Sequence, residues 1–173
     1  MPAVPSKPKL VAPVFLVVCG VACNAGCASD NWSVESEPIE SSMTLLEGNS
    51  EVERVLVAET SHAGRIHATV NLPGAPVARG DDGEGDPVPL VMAELILDDA
   101  HSHVTLPGTG GQLSVRCPGE RCAGDEARLS VRLLSGAEID DSGLFVQWAA
   151  YAETFGRGAK VPEDAQATLR AER

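Results

Sequence analysis

Several groups of residues have the types and spacing to do chemistry. Asp82, Glu84 and Asp86 alternate with glycines in the stretch Asp81-Asp82-Gly83-Glu84-Gly85-Asp86. Carboxylate oxygens on a flexible loop are the hard donors that Ca²⁺ takes. No acidic residue follows at the closing position of a twelve-residue calcium hand, so the stretch equally describes a solvated hairpin loop. Asp99, His101 and His103 belong to the densest polar cluster, Asp98-Asp99-Ala100-His101-Ser102-His103. On a strand the two histidines share a side and can chelate Zn²⁺ or Cu²⁺, with Asp99, His62 or His67 as third ligand. Neither an HExxH run nor a cysteine-rich zinc spacing accompanies them. A strand-to-strand turn with exposed histidines accounts for the same residues.

Cys117 and Cys122 enclose Pro118-Gly119-Glu120-Arg121. Four residues separate them, against two in the usual redox-active pair, and in an exported chain such cysteines form a disulfide by default. Closing so short a ring is worth about 2 kcal/mol in chain entropy. Arg116, Arg128 and Arg132 alternate with apolar residues and are expected on one outward face of two neighbouring strands. There they would meet an anion, an acidic partner or solvent. The catalytic patterns are missing. There is no GxSxG elbow, no nucleophile with an evident base, and no lysine after Gly108-Thr109-Gly110-Gly111 to make a phosphate loop. No enzyme activity is therefore expected, and no cofactor beyond the calcium or zinc just considered.

The elements that must position these groups read as strands. Ile66, Ala68, Val70 and Leu72 alternate with His67, Thr69 and Asn71. Leu113, Val115 and Cys117 alternate with polar residues in the same way, as do Ala127, Leu129, Val131 and Leu133, and then Ala165, Ala167, Leu169 and Ala171. A period of two places one apolar face inward and one polar face outward. The run from Val88 to Leu97 is almost continuously apolar, as in a central strand. Clusters of Gly, Pro and Asp separate these runs, and about eight short strands so punctuated predict an all-β antiparallel β-sandwich over residues 51–173. Two segments fit either period. Val52–Ala58 reads as strand or helical turn. Leu144–Phe155 carries Phe145, Trp148, Tyr151 and Phe155 and would also make a helical stripe; the strand is preferred because the C-terminal alternating run needs a partner. In either form those aromatics are expected in the core.

The first 27 residues have another character. Lys7 and Lys9 precede an apolar run, Leu10–Ala22, and small residues dominate from Cys23 to Ser29. That order is the pattern of a secretory signal peptide. About 13 apolar residues at about 1.5 Å each give about 20 Å of helix, short of the roughly 30 Å needed to span a bilayer. The end of the segment resembles the lipobox of bacterial lipoproteins, in which a cysteine after small residues receives a diacylglycerol and becomes the new N-terminus. Ala25 and Gly26 before Cys27 match it, with Asn24 at the place of the family's aliphatic residue. The alternative is Cys23, preceded by Gly20-Val21-Ala22. Lipidation at Cys27 leaves Cys117 and Cys122 as an even pair. The resemblance implies a chain anchored by lipid in the cell envelope, at the outer membrane or cell surface; ordinary cleavage implies a soluble periplasmic or secreted protein.

Residues 28–50 are rich in Ser and Glu and read as a tether between membrane and domain. All 25 acidic residues follow the signal, against eleven of the 13 basic ones, leaving a formal charge of −14 on the processed chain. So acidic a surface argues against nucleic acid as partner and against docking on anionic lipid by charge. The expectation is a non-catalytic envelope or surface lipoprotein, acting as a binding or structural module toward an envelope protein. An exported metal-binding module and an exported enzyme with a loop-built site are the alternatives.

Overall fold

The computed structural model describes residues 31–46, 49–75, 90–106, 110–134, 139 and 141–172. The signal segment with Cys23 and Cys27, the acidic loop with Asp82, Glu84 and Asp86, and Gly108-Thr109 lie outside the described residues. Among the described residues there are ten strands: β1 (Asn31–Glu35), β2 (Ile39–Leu45), β3 (Glu51–Thr60), β4 (Ala63–Asn71), β5 (Val91–Leu97), β6 (Ala100–Leu106), β7 (Gly111–Arg116), β8 (Ala123–Leu133), β9 (Leu144–Arg157) and β10 (Ala167–Glu172). All their pairings are antiparallel. The first sheet runs β1-β9-β4-β7, with β2 also on β9; the second runs β10-β3-β8-β5-β6.

The two inner faces make the core. Ile66, Ala68 and Val70 of β4, with Leu113 and Val115 of β7, face Leu95 of β5 and Leu129 and Val131 of β8 across the sandwich, all of them buried. Leu133 and Leu169 pack against this cluster from half-buried positions. Both ambiguous segments are strands. Val52–Ala58 lies inside β3, and Leu144–Phe155 lies inside β9.

The Ser/Glu-rich stretch differs from its reading as a tether. It supplies β1 and β2, so the domain includes residues 31–45 and does not begin at 51. Trp32, Met43 and Leu45 are buried and Val34 half-buried, which gives each short strand an apolar face beneath its serines and glutamates. Both strands pair with the same edge of β9, β1 with its C-terminal end and β2 with its N-terminal half. At the break between them Ser36 donates its N–H to the Ala152 carbonyl (2.8 Å) and accepts the Ala152 N–H on its side chain (3.0 Å). Pro38, which has no N–H to give to a ladder, follows at once. These additional strands account for ten where the alternation predicts about eight.

At the opposite side β6 and β7, the outermost strands of the two sheets, approach closely. Ser102 Oγ accepts the Ser114 backbone N–H at 3.2 Å. A Cβ at Gly111 would meet the side chains of Leu106 and Val104.

Candidate ligand-binding surface

Period two along β9 decides where its aromatics go. Trp148, at an even position, is buried; Phe145, Tyr151 and Phe155, at odd positions, lie on the outer face of the first sheet. Phe145 is 42% exposed. Of the four aromatics expected in the core, only Trp148 is there, because a strand sends every second residue outward.

Register brings charge onto this aromatic face. Arg65 on β4 stands directly opposite Arg116 on β7 and opposite Glu153 on β9; His67 stands opposite Tyr151. The guanidinium carbons of Arg65 and Arg116 lie 5.3 and 5.4 Å from the centroid of Phe155, within cation–π range. Arg65 Nη1 is 3.8 Å from Glu153 Oε2, and His67 Nε2 is 3.0 Å from the same oxygen. The His67 and Tyr151 rings stack at 4.7 Å with 12° between planes. Arg116, and Arg157 at the end of β9, have no carboxylate within 4.0 Å among the described residues. An open hollow bordered by Arg65, Arg116, Phe155 and Arg157 lies over this ground. Such a surface can hold an anionic group through its guanidinium forks, which suit carboxylates, and can seat the rest of the ligand on the phenyl ring.

Beneath it, Trp32 fixes the end of the sheet. A Cβ at Gly156 would run into the Trp32 indole, and the indole packs edge-on against His62, with centroids 5.0 Å apart.

The phenol of Tyr151 is pushed above its ordinary 10.0 by burial and by the carboxylates of Glu35 and Glu153, against the pull of Arg65. A raised folded-state value means that the Tyr151 contribution to stability is complete below about 10 and is lost as pH climbs through the folded value. Tyr151 is the single tyrosine of the chain, so alkaline absorbance at 295 nm reads it alone. The folded protein is expected to titrate later than the urea-unfolded one, and Glu35→Gln to bring the midpoint back down. Coincident folded and unfolded curves would contradict this environment.

The sites read from the sequence are placed as follows. Asp98 and Asp99 form the two-residue turn between β5 and β6, with Asp98 at φ 48°, a left-handed value that aspartate tolerates. His101 and His103 point outward from β6 and are exposed; His101 Nδ1 is 3.8 Å from Glu94 Oε1. The structure does not bring Asp99, His101 and His103 together as a ligand group. His62 sits in the turn between β3 and β4, edge-on against Trp32, and His67, on β4 of the first sheet, is hydrogen-bonded to Glu153. The one such group among the described residues is Cys117, Cys122 and Asp125. Its two sulfurs are joined in a disulfide, with Cα atoms 5.4 Å apart, and Asp125 Oδ2 accepts the Ala123 N–H at 2.8 Å.

Arg116, Arg128 and Arg132 do not share a face. Arg116 is on β7 of the first sheet, and the other two are on β8 of the second. Consecutive runs were expected to be neighbouring strands, but the disulfide loop between β7 and β8 crosses from one sheet to the other. The partners Arg116 does have, Arg65 and Phe155, are far away in sequence; the visible signal was the odd-position aromatics of β9. Compared with known proteins, the chain matches no protein-family model and no curated relative.

Proposed function

We propose that this chain is an exported, non-catalytic binding module of a cell envelope. In this reading it is lipid-anchored through Cys27, and its first sheet presents an arginine–aromatic face to an acidic segment of a partner protein. The observation that carries the reading is Arg65 and Arg116 over Phe155, with Arg116 and Arg157 lacking carboxylate partners among the described residues. In a chain of formal charge −12, arginines left without a carboxylate around the half-buried Phe155 ring favour a partner that supplies the missing negative charge. The anchor rests on residues 7–27. No helix among the described residues is long and apolar enough to cross a membrane.

Hexaglutamate titrated into the ¹⁵N-labelled domain is expected to shift resonances of Arg65, Arg116 and Phe155, and to bind more weakly as salt screens the charges. Arg65→Ala with Arg116→Ala should weaken binding at least about tenfold, or about 1.4 kcal/mol. Equal binding by the double variant, or no binding of hexaglutamate at low salt, would remove the acidic partner from the proposal. Intact mass of membrane-extracted protein tests the anchor separately. A diacylated N-terminal Cys27 is the expected species. An unmodified start at Ala28 or Ser29 would make the protein soluble, and a retained Met1 would refute the signal peptide.

A further inference from the structure

The outer face of the second sheet places three metal-ligating side chains on one hairpin, away from the arginine face. β5 and β6 are joined by the two-residue turn Asp98-Asp99, and that turn fixes their register: Ile96 lies opposite His101, and Glu94 opposite His103. Ala93, Leu95 and Leu97 are buried, so the period of two turns Glu94 outward, to the side on which His101 and His103 are exposed. Directly opposite side chains on one face stand about 4.5–5.5 Å apart at Cβ, and diagonal ones are still within reach of long side chains. Glu94 therefore has one histidine straight across and the other on the diagonal. The diagonal contact is already made, with His101 Nδ1 3.8 Å from Glu94 Oε1.

The neighbouring polar groups leave these three available. Ser130, opposite Glu94 on β8, gives its hydroxyl to Glu51 at 2.8 Å, and Arg132 donates to the Met92 sulfur at 3.2 Å. Neither Arg128 nor Arg132 lies within 4.0 Å of the Glu94 carboxylate, and His103 has no hydrogen bond or ion pair among the described residues. As placed, the three donor atoms are not all within 4.8 Å of one another. His103 is exposed, so a turn of its side chain toward the carboxylate opposite gathers them. Two imidazoles and a carboxylate suit zinc and its neighbours in the first transition row, whereas Ca²⁺ and Mg²⁺ take oxygen alone. We propose that Glu94, His101 and His103 hold one divalent transition-metal ion, with Zn²⁺ the type case, and leave it a position for water. The strand partner Glu94 takes the part expected of Asp99, His62 or His67. The site is independent of the acidic partner proposed for the other sheet.

Zinc titrated into the untagged, ¹⁵N-labelled domain tests the site, read by calorimetry and by the imidazole nitrogen resonances of the four histidines. The His101 and His103 resonances are expected to shift and saturate at one equivalent, with those of His62 and His67 in place. Ca²⁺ should leave all four unmoved. Loss of even an outer-shell partner costs about 10–100-fold in metal affinity, so His101→Ala and His103→Ala should each weaken zinc at least about tenfold. Glu94→Gln keeps the size of the side chain and removes its charge, and should weaken zinc at least about fivefold; Asp99→Asn, in the turn, should change nothing. All four substitutions are at the surface, and circular dichroism confirms that each variant is folded. No shift of His101 and His103 at about tenfold excess of zinc, or a shift of His62 and His67 in their stead, would overturn the site. Undiminished affinity in Glu94→Gln would overturn the third ligand. Saturation at half an equivalent would overturn the single-chain site in favour of two copies sharing the ion.

Discussion

Val131→Asp is expected to leave the chain unfolded. Val131 is fully buried on β8, the middle strand of the second sheet, paired with Val52 on one side and Ala93 on the other. Both of its cross-strand partners are apolar, so an introduced carboxylate is set against hydrocarbon and away from water. Burying it costs several kcal/mol, against a total stability of about 5–15 kcal/mol for a domain of this kind. Arg132→Ser, one residue on and exposed, is the control. It removes a contact with the Met92 sulfur and should change stability by about 0.5 kcal/mol or less. Far-ultraviolet circular dichroism with thermal melting separates the two. A cooperative melt of Val131→Asp at the wild-type temperature would show that β8 does not bury this face.

The second large effect is expected at Gly64. Its Cβ position is already taken: an added methyl would press on Cys122 Sγ and on Thr60 Oγ1. Neither obstacle is free to move. The sulfur is bonded to Cys117. The Thr60 hydroxyl donates to the His62 carbonyl at 2.7 Å and accepts the Cys122 N–H at 2.8 Å. The Gly64 carbonyl also accepts the Cys117 N–H at 3.1 Å, so the backbone is held as well. Overpacking of this kind costs about 1–3 kcal/mol, sometimes more. Gly64→Ala should therefore lower the denaturant midpoint clearly while leaving the disulfide formed. In a Cys117→Ala, Cys122→Ala background, itself destabilised by about 2 kcal/mol through the lost cross-link, the same change should cost less, because one obstacle is gone. Equal costs in both backgrounds would show that the sulfur is not in the way.

How much was legible depended on whether local alternation or distant register set the outcome. The faces of β4, β7 and β8 follow from period two alone, and Ile66, Val115 and Val131 are where that period puts them. Spacing and the Pro-Gly turn marked Cys117 and Cys122 as a pair. The strands β1 and β2 were hidden by composition. Five and seven residues long, they carry few apolar groups each, and across residues 28–50 the serines and glutamates outnumber Trp32, Val34, Ile39, Met43 and Leu45. The arginine–aromatic face was half visible. Once Leu144–Phe155 is a strand, Phe145, Tyr151 and Phe155 must share a side. That Arg65 and Arg116 meet Phe155 there depends on a register between strands some 40 to 90 positions apart in the chain, which no local pattern encodes.

The pairing of β1 and β2 with β9 also sets a timetable for biosynthesis. These strands are the first of the sandwich to leave the ribosome, yet both of their ladders are to β9, the next to last. At about 5–20 residues per second, roughly a hundred residues of synthesis separate them from their partner, a wait of about 5–20 s. A strongly apolar segment left single for that long would seek other chains. Serines, glutamates and Pro38 keep this one hydrated while it waits, so the composition that resembles a tether belongs to a strand that must remain soluble until the domain can close over it.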